Sequence, residues 1–378
     1  MYYGYEKKIS AQRIKNKGEY IMERIKFDPA EIIHSAADGT APDINYPVTP
    51  AENMLALFEG KNPVWFPMTT DSMSLCTRID PDNISRAFVI DGDTPYDRDL
   101  YGGPDMFGIE WVFVPVAGGS MVKPGKPALE DANDWKEVIK FPNVAEWDWE
   151  GAAEANKEFL NTNKLAGIMM LNGFMYERLI SFMDFEGAAI AIIDEDQQDA
   201  VKELIGEMLD KVYIPYLENA KKYFPQIQMV CLHDDWGSQR APFFSLETAR
   251  EMFVPFLQKF AAKCKELGLI FQLHSCGANE LVVPAYIEGG VQMWNGMSDI
   301  NDKKKYHELW GKEMIFGVDP PAIARDMEAD KDDLLAAAKE FCETYIVDGK
   351  VHAIANLMRV NPMFIEFVYK ISREMLNA

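Results

Sequence analysis

Two residues with metal-binding side chains, His274 and Cys276, close an apolar run, Leu269 to Leu273, that opens just after Gly268. In an extended chain, residues two apart point to the same side. His274 and Cys276 therefore offer an imidazole nitrogen and a thiolate sulfur to one ion, and zinc is the ion that favours that pair. A histidine bonded to backbone and a cysteine packed as a small hydrophobe is the other reading open at this point. A second group follows the run Gln228 to Leu232, where His233, Asp234 and Asp235 stand in sequence. Adjacent carboxylates on a strand face opposite ways, so one of the two is expected to face a pocket, as a proton-transfer group or a cation ligand. Asn172, Asn295, Asp299, Asp319 and Asn356 also follow apolar runs, as does His352 within the last one. Glu177, with Arg178 beside it, sits early on a predicted helix that starts past such a run, within reach of the same place. Cys231, Cys264 and Cys342 fall inside predicted strands or helices and read as core.

These residues need strands to carry them. Eight short apolar runs, near Pro63, Phe107, Leu165, Gln228, Leu269, Val291, Glu313 and Val351, are expected as strands. From residue 150 onward they alternate regularly with helical stretches, which points to a (β/α)8 TIM barrel. In such a barrel the strand C-termini ring one mouth, so the polar residues above would meet there. Thr49-Pro50-Ala51-Glu52 is a helix start with Thr49 as N-cap. Long helices are expected over Asp196 to Tyr223 and Leu246 to Leu267. Residues 1–50 are expected as an N-terminal helical extension, with helical spacing from Lys7 to Phe27 and a short helix at Pro29 to His34. Residues 51–378 would be the barrel.

Composition narrows the partners. The 378 residues carry a net charge of −22, which argues against nucleic acid, anionic membrane surfaces and polyanionic substrates. Five cysteines in a chain this long do not suggest a disulfide framework. No stretch has the ~18 apolar residues of a membrane span, and the N-terminus has no secretory pattern. The expectation is a cytoplasmic protein with a small-molecule substrate. The oligomeric state is open, a homodimer included. No phosphate-binding P-loop, dinucleotide fingerprint or G-x-S-x-G elbow is present.

The run Asp234-Asp235-Trp236-Gly237-Ser238-Gln239, Leu273 to Gly277, Val291 to Asp299 and Ile315 to Asp319 resemble the uroporphyrinogen decarboxylase superfamily. The likeness extends over roughly residues 50–378, and it implies the same barrel. True decarboxylases of that superfamily carry an arginine-rich loop after a Pro-Val-Trp-Phe strand. Here Pro63-Val64-Trp65-Phe66 is followed by no arginine before Arg78. The chain is closer to the corrinoid-linked methyltransferases, whose zinc motif is H-x-C plus a distant cysteine near the last strand. His274 and Cys276 match it. Val351 to Val360 holds no cysteine, so either Asp235, His233 or Glu177 completes the site, or zinc is absent and the pocket acts on an ether or amine methyl group by other means. The resemblance implies methyl transfer between a small donor, a methoxylated aromatic among the candidates, and a corrinoid carried by a partner protein, with zinc as cofactor. The alternative it leaves is tetrapyrrole decarboxylation; a barrel that binds without catalysis is a third. On this reading the catalytic residues are Asp235, Glu177, His233, Asn295, Asp319 and Asn356. Trp236, Met68 and Phe174 would contact substrate.

Overall fold

A computed structural model describes residues 25–79, 90–91, 94–95, 101–116, 119–170, 173–296, 300–357 and 359–377. The helical pattern from Lys7 lies almost wholly outside them, and Asn172 and Asp299 lie outside them too. From Pro29 the chain makes a 3-10 turn, Pro29–Glu31, and enters strand β1, Ile32–His34, which pairs antiparallel with β2, Asp43–Ile44. The described part of the first fifty residues is therefore not the expected helix. Its β-branched Ile32 and Ile33 and the prolines at 42 and 47 work against one. Helix α1, Pro50–Phe58, begins as expected, with Thr49 Oγ1 accepting from Glu52 N–H at 3.1 Å and Glu52 returning the bond.

The body of the fold is a curled sheet of seven parallel strands. In chain order they are β3 (Ser72–Leu75), then β7 (Leu165–Met170), β8 (Met229–His233), β9 (Ile270–His274), β10 (Met293–Asn295), β11 (Ile315–Val318) and β12 (Ala353–Ala355). Between β3 and β7 lies a separate antiparallel sheet of β4 (Gly103–Pro104), β5 (Glu110–Val114) and β6 (Gly119–Val122). Helices follow the parallel strands. Those used below are α2 (Tyr176–Ala191), α3 (Lys303–Trp310) and α4 (Pro362–Leu376).

Two of the expected barrel strands are not in that sheet. Pro63 to Met68 contributes one parallel bridge, Met68 to Ala355, with Ala355 N–H bonded to Pro67 O at 2.8 Å. Its other donors are taken by side chains: Asn53 Oδ1 accepts from Val64 and Trp65, and Ser372 Oγ from Phe66. With prolines at both ends, the segment has little left for a ladder. The sheet is thus barrel-like without a continuous closing ladder. Phe107 to Val116 supplies β5, which belongs to the separate sheet. Ser72–Leu75, unmarked by any long apolar run, takes the parallel position beside β7.

Strand β9 is buried along its whole length apart from His274. Phe271 and Leu273 point to the helices, Phe271 against Phe260 with ring centroids 4.9 Å apart. Burial on both faces explains why the run is apolar without alternation. Such side chains contribute roughly 1.5–3 kcal/mol each.

Helix α4 holds the segment around Glu31. Arg373 on α4 is fully buried, and its guanidinium bonds both carboxylate oxygens of Glu31 at 2.7 and 3.0 Å. Tyr369 Oη adds a bond to Glu31 at 2.5 Å, and Arg373 also donates to the carbonyl of Ile25.

Asp71 gives this region a pH dependence. The residue is 2% exposed; its Oδ2 accepts from Trp65 Nε1 and from Met68 N–H. Burial outweighs those bonds and a distant Lys164, and lifts the carboxyl from 3.8 to about 7. Between those values the unfolded chain releases the proton and the folded one keeps it. The folded state then binds more protons, so stability falls as pH rises through the window. Asp71→Asn keeps an acceptor for both bonds and removes the titration. The variant should match the parent near pH 4 and exceed it by a few kcal/mol, roughly, at pH 8. Urea unfolding at both pH values measures this; a gap that stays constant would refute it.

Candidate active site at the strand tips

Parallel pairing puts the tips side by side. His233 is in register with His274, and His274 with Asn295. The two imidazoles stack with centroids 4.7 Å apart and planes at 21°. The loops beyond them touch through glycine: a Cβ on Gly277, whose φ is +94°, would sit 2.1 Å from the carbonyl carbon of Gly237. No other residue fits there. That contact brings the chain after β9 against the chain after β8, and Cys276 N–H bonds Asp235 Oδ1 at 2.6 Å.

The adjacent carboxylates separate as the strand geometry requires. Asp234 is fully buried and accepts from Tyr176 N–H (3.2 Å), Glu177 N–H (3.0 Å) and Trp236 Nε1 (2.6 Å). It therefore pins the first turn of α2, the helix that carries Glu177. Burial, with the Glu177 charge, lifts its carboxyl to about 7 against those bonds. Asp235 is half-buried, with Oδ1 3.9 Å from His233 Nε2. Glu177 Oε2 lies 2.7 Å from His233 Nδ1. Burial works against charge on His233, but Glu177, Asp235 and Asp234 outweigh it and raise the ring to about 9. His274 is pushed down to about 3 by burial first, then by the charges of His233 and Lys303. The Cys276 thiol is pushed up to about 12 by burial and by Asp235 and Glu177.

His274 Nε2 and Cys276 Sγ are 3.2 Å apart. One ligand atom each from His233, Asp235 and His274 lie within 4.8 Å of one another, a grouping found once among the described residues. His233, Asp235 and His274 offer two imidazoles and a carboxylate, a set that zinc accepts, and Cys276 Sγ lies beside His274 but outside that mutually close group. Bonds of ~2.1 and ~2.3 Å at a tetrahedral angle would set nitrogen and sulfur about 3.6 Å apart, close to the spacing present. Glu177 holds His233 by Nδ1 and leaves Nε2 for a metal, the carboxylate–histidine arrangement common around zinc. The nearest imidazole to the absent distant cysteine, His352, is exposed and precedes β12, at the other end of the strands.

The remaining expected residues are placed differently. Asp319 and Asn356 form their own cluster: Asn356 Nδ2 donates to Asp319 Oδ1 at 2.9 Å, and Arg325 lies 3.2 Å from the same oxygen. Asn295, half-buried, flanks His274. Trp236 and Phe174 are both fully buried. Trp236 packs between Phe244, Phe253 and Tyr286, and Phe174 between Tyr213 and Phe260. Met68 is 1% exposed at its bridge to Ala355. All three are core side chains, not cleft-lining ones. Arg178 forms a structural ion pair with Asp105 at 2.6 Å, both side chains 0% exposed.

Two residues carried no signal in the sequence. Lys303, at the start of α3, is buried with Nζ bonded to Gly296 O at 2.6 Å and 3.7 Å from Asp319. It links the Asp319 cluster to the His274 side, and burial lowers its affinity for a proton while Asp319 opposes that. Ser275, between the two metal-type ligands, turns the other way and accepts from Trp236 N–H, Tyr286 Oη and Asn279 Nδ2. A lysine among three lysines at a helix start, and a serine in a turn, look like ordinary surface residues in the sequence.

A cleft of about 880 Å³ opens beside this group, roofed by β5 and β6 and floored by the first half of α2, with Glu177 and Asp235 in its wall. Among the described residues no helix is long and apolar enough to cross a membrane.

No protein-family profile matches the chain, and no curated protein does. Among solved structures it is similar to a methyltransferase from Methanosarcina mazei, with 16% identity over 88% of this chain and 100% of that one, and a TM-score of 0.55. It is also matched to a group IV chitinase from Ostrinia furnacalis (8% identity, 66% of this chain and 86% of that one, TM-score 0.31) and to Dispersin B (11%, 79% and 87%, TM-score 0.27). These last two overlap too loosely to bear on this chain. The first likeness is one of fold.

Proposed function

We propose that this protein is a methyltransferase that moves a methyl group between a small-molecule donor and a corrinoid carried by a separate protein. The observation that carries this reading is the convergence of His233, Asp235, His274 and Cys276 at the strand tips beside a cleft of small-molecule size. The fold shared with the Methanosarcina mazei methyltransferase supports it. His274 and Cys276, with Asp235 and His233, are the residues that would hold zinc. When bound there, zinc supplies a Lewis acid that takes up charge on a departing oxygen or sulfur. The protein's own groups position the rest. Glu177 fixes the His233 ring through Nδ1, and Asp234 fixes Glu177 by holding the helix that bears it. Cys276 N–H fixes Asp235. The cleft shields the donor from water and aligns it, which is the main demand of an in-line methyl displacement.

The turn after Phe66 supports this over decarboxylation of a tetrapyrrole. Residues 69–71 make a 3-10 turn that buries Asp71, where an arginine clamp for substrate carboxylates would be needed. The test is anaerobic incubation with cob(I)alamin and candidate methyl ethers, amines and thioethers. Methylcobalamin should accumulate, followed by absorbance. No turnover with any donor, together with carbon dioxide release from uroporphyrinogen, would reverse the assignment.

A further inference from the structure

The cleft has a feature that the strand-tip residues do not use. Ser120, on β6 in its roof, is 8% exposed, and its hydroxyl has no hydrogen-bond partner. A buried hydroxyl left unsatisfied is costly and uncommon in a folded protein. Ser120 is in register with Phe113 of β5, and Met121, its neighbour on the opposite face of the strand, is 54% exposed and also borders the cleft. The cleft walls near it are largely apolar, with Trp111, Ile180, Phe185 and Phe243. Their charges are uneven. Four carboxylates, Glu110, Glu177, Asp184 and Asp235, face two lysines, Lys123 and Lys126, and Lys126 is paired with Glu130 at 2.8 Å.

We infer that Ser120 is a specificity-determining residue: its hydroxyl bonds a polar substituent of a neutral, mainly apolar substrate held in the roofed cleft with its reacting end toward Asp235. Apolar walls give affinity without choice among apolar ligands. A single buried hydroxyl gives the choice, because a ligand with a matching group satisfies it and one without leaves it bare. The surplus of carboxylates disfavours an anionic substrate of the same shape. This inference rests on the methyl-transfer reading only for which end reacts.

Three probes isolate the hydroxyl. Methoxybenzene is apolar, 2-methoxyphenol adds one neutral hydrogen-bonding group, and 4-hydroxy-3-methoxybenzoate adds an anionic charge. Binding is measured by calorimetry on the full chain, without corrinoid or turnover. Wild type should bind 2-methoxyphenol at least tenfold more tightly than the benzoate. Ser120→Ala should weaken 2-methoxyphenol about fivefold, one ordinary hydrogen bond, and leave methoxybenzene unchanged. Ser120→Thr, which keeps the hydroxyl, should restore the difference. Equal loss for both neutral probes, or none for either, would overturn the assignment and leave the hydroxyl to a resident water. So would the absence of saturable binding to wild type, or a Ser120→Ala chain that circular dichroism shows folded but that binds as wild type does. Methyl transfer from other donors with no Ser120 dependence in binding would defeat this inference and keep the proposed function. Ser120-dependent binding with no methyl transfer would do the reverse.

Discussion

On the proposed reading, His274→Ala should lose bound zinc and methyl transfer together. Protein purified without chelator should hold about one equivalent of zinc, and His274→Ala or Cys276→Ala less than a tenth. Methyl transfer should fall by at least about 10²-fold in either variant, because removing a ligand exceeds the 10–100-fold cost usual for an outer partner. Glu177→Gln, which only loosens the hold on His233 Nδ1, should sit in that smaller range. The set His233, Asp235, His274 and Cys276 mixes nitrogen, oxygen and sulfur. Such a site is more Lewis acidic and less selective for thiols than a cysteine-rich one, which favours ethers as donors. Elemental analysis decides the matter. Wild-type protein with less than about a tenth of an equivalent would remove zinc from the account. Equal zinc in wild type and Cys276→Ala would show that His274-Ser275-Cys276 is not the site.

The largest stability effect is expected at Asp105. Its Oδ2 takes the Arg178 guanidinium and Trp111 Nε1, and its Oδ1 takes the N–H groups of Phe107 and Ile109. The guanidinium also lies over the Phe107 ring, 4.7 Å from its centroid. Asp105→Ala would strand a buried cation and free three donors, and should cost about 3–5 kcal/mol. Replacing both partners, as Asp105→Leu with Arg178→Met, should cost clearly less than Asp105→Ala alone, since no charge is then left uncompensated. Urea unfolding of the three proteins tests this. If the double variant proved as unstable as the single, the pair would be contributing packing rather than electrostatics. The same link joins the loop under β5 to the residue after Glu177, so Asp105→Ala should also disturb the cleft.

How much of this was legible in the chain depended on the kind of signal. The run from Leu269 to Gly277 could be read because a strand buried on both faces is continuously apolar and its polar tip ends abruptly. The division of labour between Asp234 and Asp235 followed from alternation alone. The strand at Glu110–Val114 was visible, but periodicity does not reveal which sheet a strand joins. A nearby antiparallel partner, Gly119–Val122, claimed it. Ser72–Leu75 was missed because serine alternates with its apolar residues. Trp236 and Phe174 were misleading for a simple reason: large rings beside a pocket motif pack into the core as readily as they line the pocket. The stretch Gln198 to Tyr223 does run as one amphipathic rod, yet a π turn at Leu209–Tyr213 divides it, and no residue there announces the extra residue per turn. Lys303 and Ser275 owe their places to contacts across the fold, which no local pattern encodes.

The bond between Glu31 and Arg373 spans 342 residues of chain. During synthesis the amino-terminal segment leaves the ribosome long before the helix that anchors it exists. At 5–20 residues per second the wait is about 20–70 s. Throughout it Glu31 lacks its Arg373 partner, while the strands from β3 onward can already associate. Docking of this segment is thus timed by the synthesis of α4, and a ribosome stalled before Arg373 would hold a nearly whole parallel sheet with Glu31 unpaired.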